Sequence, residues 1–233
     1  MSFDTLVQTD QHWLLALNGS HSAYLDALAK VLTNAGTWIP LYAALLYVVL
    51  KNSDNVRRVV LVIACAVLCV LLAGTIDDTI VKPLVARWRP TRDPDIGYLV
   101  DIVNGYRGGR FGFFSAHASN TFSIAVFFSL LIRDRVLSVS MVIWSLINCW
   151  TRVYLGVHYP GDILCGLLWG GVVGTGVWFL YSKVVPHFSS SVSYVSNHYT
   201  KTGFLRSHSD IVTSVFILTI LYAIIRACFT LYI

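Results

Sequence analysis

The chain has 233 residues, of which 56% are hydrophobic and only 12% charged, and its acidic residues are all Asp. A soluble domain carries roughly twice that charged fraction, so the composition argues against a water-soluble globule. The formal net charge of +5 comes from basic residues scattered through loops, which excludes a nucleic-acid partner and leaves anionic lipid head groups as the natural one.

Phe3, Leu6, Val7, Trp13, Leu14 and Leu17 recur at helical spacing at the start of the chain, interrupted by Asp4 and Asp10. No basic leader precedes them, so a cleavable signal is not expected. The segment 1–30 therefore reads as an amphipathic helix lying in the membrane interface or as a short helix packed on a bundle. Six stretches without Asp, Glu, Lys or Arg follow: Val31–Leu50, Val59–Ile76, Phe111–Ile132, Val136–Thr151, Ile163–Ser182 and Ile211–Ile225. A bilayer core needs about 20 residues of helix, within a range of about 17–25. The pattern predicts an all-α, polytopic membrane bundle of about six transmembrane helices. Residues 31–185 form the expected catalytic bundle. Residues 186–233 form a linker around Ser189–Ser193 and a final transmembrane helix. Cys65, Cys69, Cys149, Cys165 and Cys228 all fall in apolar spans with no zinc-type spacing, and read as inert core residues.

Three short polar stretches interrupt this apolar pattern. In Lys82–Pro90, Lys82 and Arg89 stand seven apart, about two helical turns, and so are expected on one face near a span's end. Two cations beside apolar surface repel each other unless an anion sits between them. Arg87 reads as part of an ordinary basic cuff at the interface. In Ser115–His117, Ser115 is placed to cap a helix whose free N–H groups and positive dipole end suit a phosphate. Ala116 and His117 would add backbone N–H groups, and the His117 side chain could give a proton to a leaving oxygen. In Thr151–Asp162, Pro160 starts a helix, Asp162 falls in its first turn, and His158 stands just before it. A carboxylate there can accept a proton from one ring nitrogen and leave the other free to attack. Arg152 ends the preceding span, and its planar fork can clamp phosphoryl oxygens. Asp77 and Asp78 are expected to cap a span or hold a site cation.

With six spans, the loops Lys51–Arg58, Arg133–Arg135 and Lys183–Asp210 share one face, and all three motifs share the other. The motif-free loops carry eight Lys or Arg against nine elsewhere. Setting aside Lys82, Arg89 and Arg152 as functional leaves eight against six, which places the motif face outside the cytoplasm. The Thr91–Arg110 loop, between two motifs, is expected to act as a lid or a substrate-contacting flap.

The three motifs in this order resemble the type 2 phosphatidic-acid phosphatase superfamily, whose fold is shared with the vanadium haloperoxidases. The family pattern is Lys-x6-Arg-Pro, then Pro-Ser-Gly-His, then Ser-Arg-x5-His-x3-Asp. Lys82, Arg89 and Pro90 match the first. Phe114-Ser115-Ala116-His117 keeps Ser and His of the second, and Thr151-Arg152, His158 and Asp162 keep the third with Thr for Ser. The resemblance implies that His158 is the nucleophile, that Asp162 orients it, and that His117 is the acid and base. It implies that Lys82, Arg89, Ser115, Ala116 and Arg152 hold phosphoryl oxygens, with no metal and no cofactor. The expected activity is that of a phosphohistidine-forming membrane lipid phosphatase in a bacterial inner membrane. Undecaprenyl diphosphate is the favoured substrate. Lipid A and phosphatidylglycerol phosphate or phosphatidic acid are the alternatives. A vanadate-dependent oxidase and a non-catalytic lipid-phosphate binder or transporter are the competing classes. Six spans argue against the first, and retention of both histidines and Asp162 against the second.

Overall fold

The computed structural model describes residues 2–20, 22–185 and 197–230, and these are all-helical with no extended strand. Helix α1 (Phe3–Leu17) starts where the Ser2 hydroxyl accepts the Thr5 N–H. Helices α2 (Ala23–Thr33) and α3 (Ile39–Lys51) meet at a 67° bend. The bend falls at Asn34, which ends α2 and turns its side-chain oxygen onto the Gly36 N–H. The apolar stretch Val31–Leu50 is thus a bent pair and not one straight helix. Helix α4 (Val56–Val70) runs on through two wide π-type turns, Leu71–Thr75 and Asp77–Val81, into the short α5 (Lys82–Val85). Helices α6 (Ala116–Ile132), α7 (Arg135–Tyr154), α8 (Pro160–Val184) and α9 (Arg206–Thr230) complete the bundle.

Four of these helices are long and apolar enough to cross a membrane: Val56–Val85, α7, α8 and α9. The bent α2–α3 pair makes a fifth if it counts as one span, and α6 is apolar but shorter, at 17 residues. Each apolar stretch of the sequence therefore becomes helix over most of its length, while a count of six full spans is not established. Outward side chains such as Leu164, Leu168 and Val172 on α8 are largely exposed, as expected where lipid tails replace water.

Helix α6 lies against α8 at backbone distance. A Cβ placed on Gly166, Gly170 or Gly174 would stand 2.7, 2.5 and 2.5 Å from the carbonyl oxygens of Ser115, Ser119 and Ser123. Small residues every four positions let two helices close to this separation in a membrane. That stripe presses the start of α6, with Ser115 and His117, onto the start of α8, with Asp162, and the Ser115 N–H donates to the Asp162 carbonyl at 3.1 Å. A Gly170→Ala change should force the pair apart and cost about 1–3 kcal/mol, read as a lower melting temperature in detergent.

Helix α1 packs on the bundle along one side. Leu14 is fully buried among Ile96, Val100, Tyr159 and Ile163, whereas Leu6, Trp13 and Leu17 stay exposed. The cysteine expectation needs correction. Cys65, Cys69 and Cys149 are buried, but Cys165 is half-buried and Cys228 exposed, because the outer faces of α8 and α9 turn away from the core. The expected linker at Ser189–Ser193 lies outside the described residues.

Candidate active site

The π-type turn explains Lys82. In a regular helix, residues five apart point about 140° away from each other. In a π turn the ladder runs i to i−5, and here the Lys82 N–H donates to the Asp77 carbonyl. The widened turn sets the two side chains together, with Lys82 Nζ 2.8 Å from Asp77 Oδ2. Asp78, one turn back, also pairs with the ammonium. Asp77 is wholly buried, and its other oxygen accepts the Phe114 N–H at 3.1 Å, which ties this helix to the residue before Ser115. The two carboxylates do hold a site cation.

The helix does not carry on to Arg89. Ala86 adopts the left-handed conformation (φ 49°) and its N–H closes the last turn onto the Lys82 carbonyl. Arg89 follows in extended backbone, pinned by N–H donation to the Arg110 carbonyl. The expectation of two helical turns between Lys82 and Arg89 is therefore wrong, yet both cations reach one place. Arg89 donates from Nε to the Phe111 carbonyl (3.0 Å) and from Nη1 to the Val157 carbonyl (3.2 Å). Its Nη1 also lies 3.0 Å from His158 Nε2.

A guanidinium cannot accept a hydrogen bond. Nε2 of His158 is therefore the acceptor, and the ring proton of the neutral form sits on Nδ1. That nitrogen faces Asp162 Oδ2 at 3.5 Å, longer than a hydrogen bond. Asp162 makes its shorter contacts elsewhere: Oδ2 accepts the Tyr159 N–H at 3.0 Å, closing the first turn of α8, and Oδ1 takes Arg87 Nη1 at 2.7 Å. Burial, then the charges of Arg89, Arg152 and Lys82, hold the His158 imidazole well below its ordinary value.

Arg152, in the last turn of α7, is almost wholly buried. Its Nη1 donates to Thr33 Oγ1 (2.6 Å) and to the Tyr106 hydroxyl (3.1 Å), while Nε has no partner. Among the described residues, neither Arg89 nor Arg152 meets a carboxylate within 4 Å. Burial, then the charge of Arg152, pulls the Arg89 guanidinium below its ordinary value. Ser115 is buried and caps α6, its Oγ accepting the Ala118 N–H at 3.4 Å. The first N–H groups of a helix, here those of Ala116 and His117, have no intrahelical partner. The His117 side chain lies in the field of Arg152, His158, Arg89 and Lys82. The structure thus brings together every residue singled out in the three motifs.

The Thr91–Arg110 loop is packed down over this site. Asn18 grips it through the Asp101 carbonyl and N–H (3.1 and 2.7 Å), and Ile96, Val100 and Val103 are buried. Tyr106 reaches Arg152, and a Cβ on Gly108 would stand 2.5 Å from Arg89 Nη1. Gly108→Ala should displace that guanidinium and lower kcat/KM about tenfold, or about 1.4 kcal/mol, with little change in melting temperature.

Two residues of this network escaped the sequence reading. Arg87 is not a solvated cuff: it bridges Asp162 and Asp10, with both N–O distances at 2.7 Å, and stacks 4.1 Å above the Tyr159 ring. Asp10 lies far away in the chain, in α1. No local spacing marks either residue, so only a three-dimensional arrangement reveals them.

Residues 58–186 match the model of the PAP2 superfamily. The chain belongs to the PAP2 superfamily. It is 40% identical to a lipid A 4'-phosphatase of Bacteroides thetaiotaomicron over 79% of this chain and 82% of the relative. It is 30% identical to a lipid A 4'-phosphatase of Porphyromonas gingivalis over 76% of this chain and 74% of that one. No solved structure matches it. With its apolar helices, this PAP2 protein is an integral membrane protein and a lipid phosphatase. The comparisons give no support to undecaprenyl diphosphate as the favoured substrate. Both relatives are named for lipid A.

Proposed function

We propose that this PAP2 enzyme removes a phosphate from a lipid A-type glycolipid through a phosphohistidine on His158. The observation that carries the chemistry is a pair of guanidinium groups, half-buried Arg89 and buried Arg152, that among the described residues meet no carboxylate, beside a neutral histidine. A buried cation without a counter-ion is costly, and a bound phosphoryl dianion removes that cost. The name shared by the two relatives supports lipid A, and its 4′-phosphate, as the substrate. An apolar cleft of about 550 Å³ between α3, α4 and α6, lined by Leu45, Val62, Val70 and Ile124, opens beside Asn120, one turn from His117. It suits an acyl chain of such a lipid.

In this reading Arg89, Arg152, Lys82, the Ser115 hydroxyl and the first N–H groups of α6 hold three phosphoryl oxygens. Arg89 turns from Nε2 to the phosphate, and the Nε2 lone pair attacks phosphorus in line. The bond from phosphorus to the sugar oxygen breaks as His117, protonated once the phosphoryl dianion offsets the cations around it, gives that oxygen its proton. His117, now neutral, takes a proton from water, whose oxygen attacks phosphorus. The nitrogen–phosphorus bond breaks and phosphate leaves. Cationic side chains supply the charge stabilisation, so EDTA is expected to leave the rate unchanged. The test is phosphate release by the purified protein from lipid A, undecaprenyl diphosphate, phosphatidylglycerol phosphate and phosphatidic acid, each with and without EDTA. Lipid A is expected to be fastest. A higher kcat/KM on undecaprenyl diphosphate sinks the lipid A assignment.

The site is proposed to face outside the cytoplasm across a bacterial inner membrane. Arg87 now has a structural reason to lie on the motif face, which widens the basic excess of the opposite loops. In a variant lacking the native cysteines, Asp95→Cys should react with an impermeant thiol reagent in spheroplasts and Asn197→Cys should not. The reverse pattern overturns the orientation.

A further inference from the structure

Helix α1 reaches the site through one side chain. Asp10 Oδ2 lies 2.7 Å from Arg87 Nη2, and its Oδ1 accepts the Gly161 N–H at 2.8 Å. Arg87 Nη1 lies 2.7 Å from Asp162 Oδ1. The order is carboxylate, guanidinium, carboxylate, imidazole. Buried Leu14, one turn on from Asp10, fixes α1 in this position, and Asp162 is fully buried.

Arg87 alone would neutralise Asp162 and strip His158 of the negative charge that its Nδ1–H faces. A second carboxylate on the far side of the guanidinium returns that charge, and the triplet carries a net charge of −1. The Asp10 bond to the Gly161 N–H also holds the first turn of α8, from which Asp162 projects. We infer that α1 is part of the active site, and that Asp10 is a positioning residue which, through Arg87, sets the charge and placement of Asp162 and so the basicity of His158. This rests on the roles proposed above for His158 and Asp162. His158 is also faced by Arg89 from the loop after α5, Lys82 from α5, Arg152 from α7 and His117 from α6. Asp162 is faced by Arg87, Arg89 and Tyr159. The variants below leave Arg89, Lys82, Arg152, His117 and Tyr159 in place.

The experiment follows the titration of His158 by NMR in full-length protein labelled at histidine Cε1, with its resonance assigned from His158→Ala, beside kcat and KM on the lipid. Asp10→Asn keeps an acceptor for Gly161 but removes the charge. It should shift the His158 titration downward by about half a unit or more and lower kcat about tenfold, with KM within about twofold. Asp10→Glu should restore both. Arg87→Gln should shift the titration upward, because Asp162 then faces His158 uncompensated. Asp10→Ser, another uncharged acceptor, replaces Asp10→Asn if that variant does not accumulate. A purely structural staple would lower the melting temperature and leave the titration where it was. An unchanged titration in Asp10→Asn, or shifts of the same sign in Asp10→Asn and Arg87→Gln, overturns the inference. Should His158→Ala retain turnover, the underlying assignment falls and takes the inference with it. Should that variant be inactive while Asp10→Asn matches the wild type, the inference alone falls.

Discussion

His158→Ala is expected to abolish phosphate release, with a loss of about 10⁴-fold or more. Among the described residues, no other nucleophile combines a neutral ring with a lone pair directed at the guanidinium of Arg89, 3.0 Å away. The variant should fold, since His158 is neutral and its removal leaves no uncompensated charge. Acid-labile label from a radioactive lipid phosphate should be trapped on the wild type and not on the variant. Turnover near wild type at equal expression would rule out the assignment. The pH dependence has a definite sign. Burial and the neighbouring cations hold the imidazole well below 6.5. A depressed histidine stays neutral as the pH falls, so kcat/KM, which reports the free enzyme, should show no loss from His158 between pH 7 and 6. An acid limb at 6.5 in that profile, after allowance for the substrate's own ionisation, would contradict the geometry.

Arg152→Met should separate activity from stability. Loss of one preorganised donor to a phosphoryl group should cost about 10²–10³-fold in kcat/KM. The folded state should respond in the other direction. Removing one member of a buried ion pair is destabilising because it strands the other charge. Among the described residues Arg152 has no carboxylate to strand, and its positive charge opposes that of Arg89. The melting temperature of the variant in detergent is therefore expected to equal or exceed that of the wild type, as where a site holds charge that only its ligand compensates. Asp77→Asn is the contrasting control. It leaves Lys82 with one carboxylate fewer and should melt lower. A large drop in melting temperature for Arg152→Met would show that the cation is structural and that the anion-binding argument is mistaken.

What the sequence determined by itself is the class of protein and the set of residues proposed for its site. Long apolar stretches without charge can only be buried or face lipid, so the positions of the helices were legible, although the longest, Val56–Val85, runs nine residues past the end of its apolar stretch. The three motifs were legible because each sits where a span meets a loop, and helix ends are marked by local residues: Ser115 before α6, Pro160 and Asp162 in α8. Local periodicity says little about a break in a helix. The bend at Asn34 and the π turn at Asp77–Val81 depend on packing against other helices, as Gly74 shows by lying against the Asn120 amide. The network behind the nucleophile depends on tertiary structure altogether. Asp10 joins Arg87, and Arg87 joins Asp162, across separations of 77 and 75 residues, and ion pairs between distant segments leave no spacing to read. Only the folded chain decides which cations keep a carboxylate partner: Lys82 and Arg87 do, while among the described residues Arg89 and Arg152 meet none.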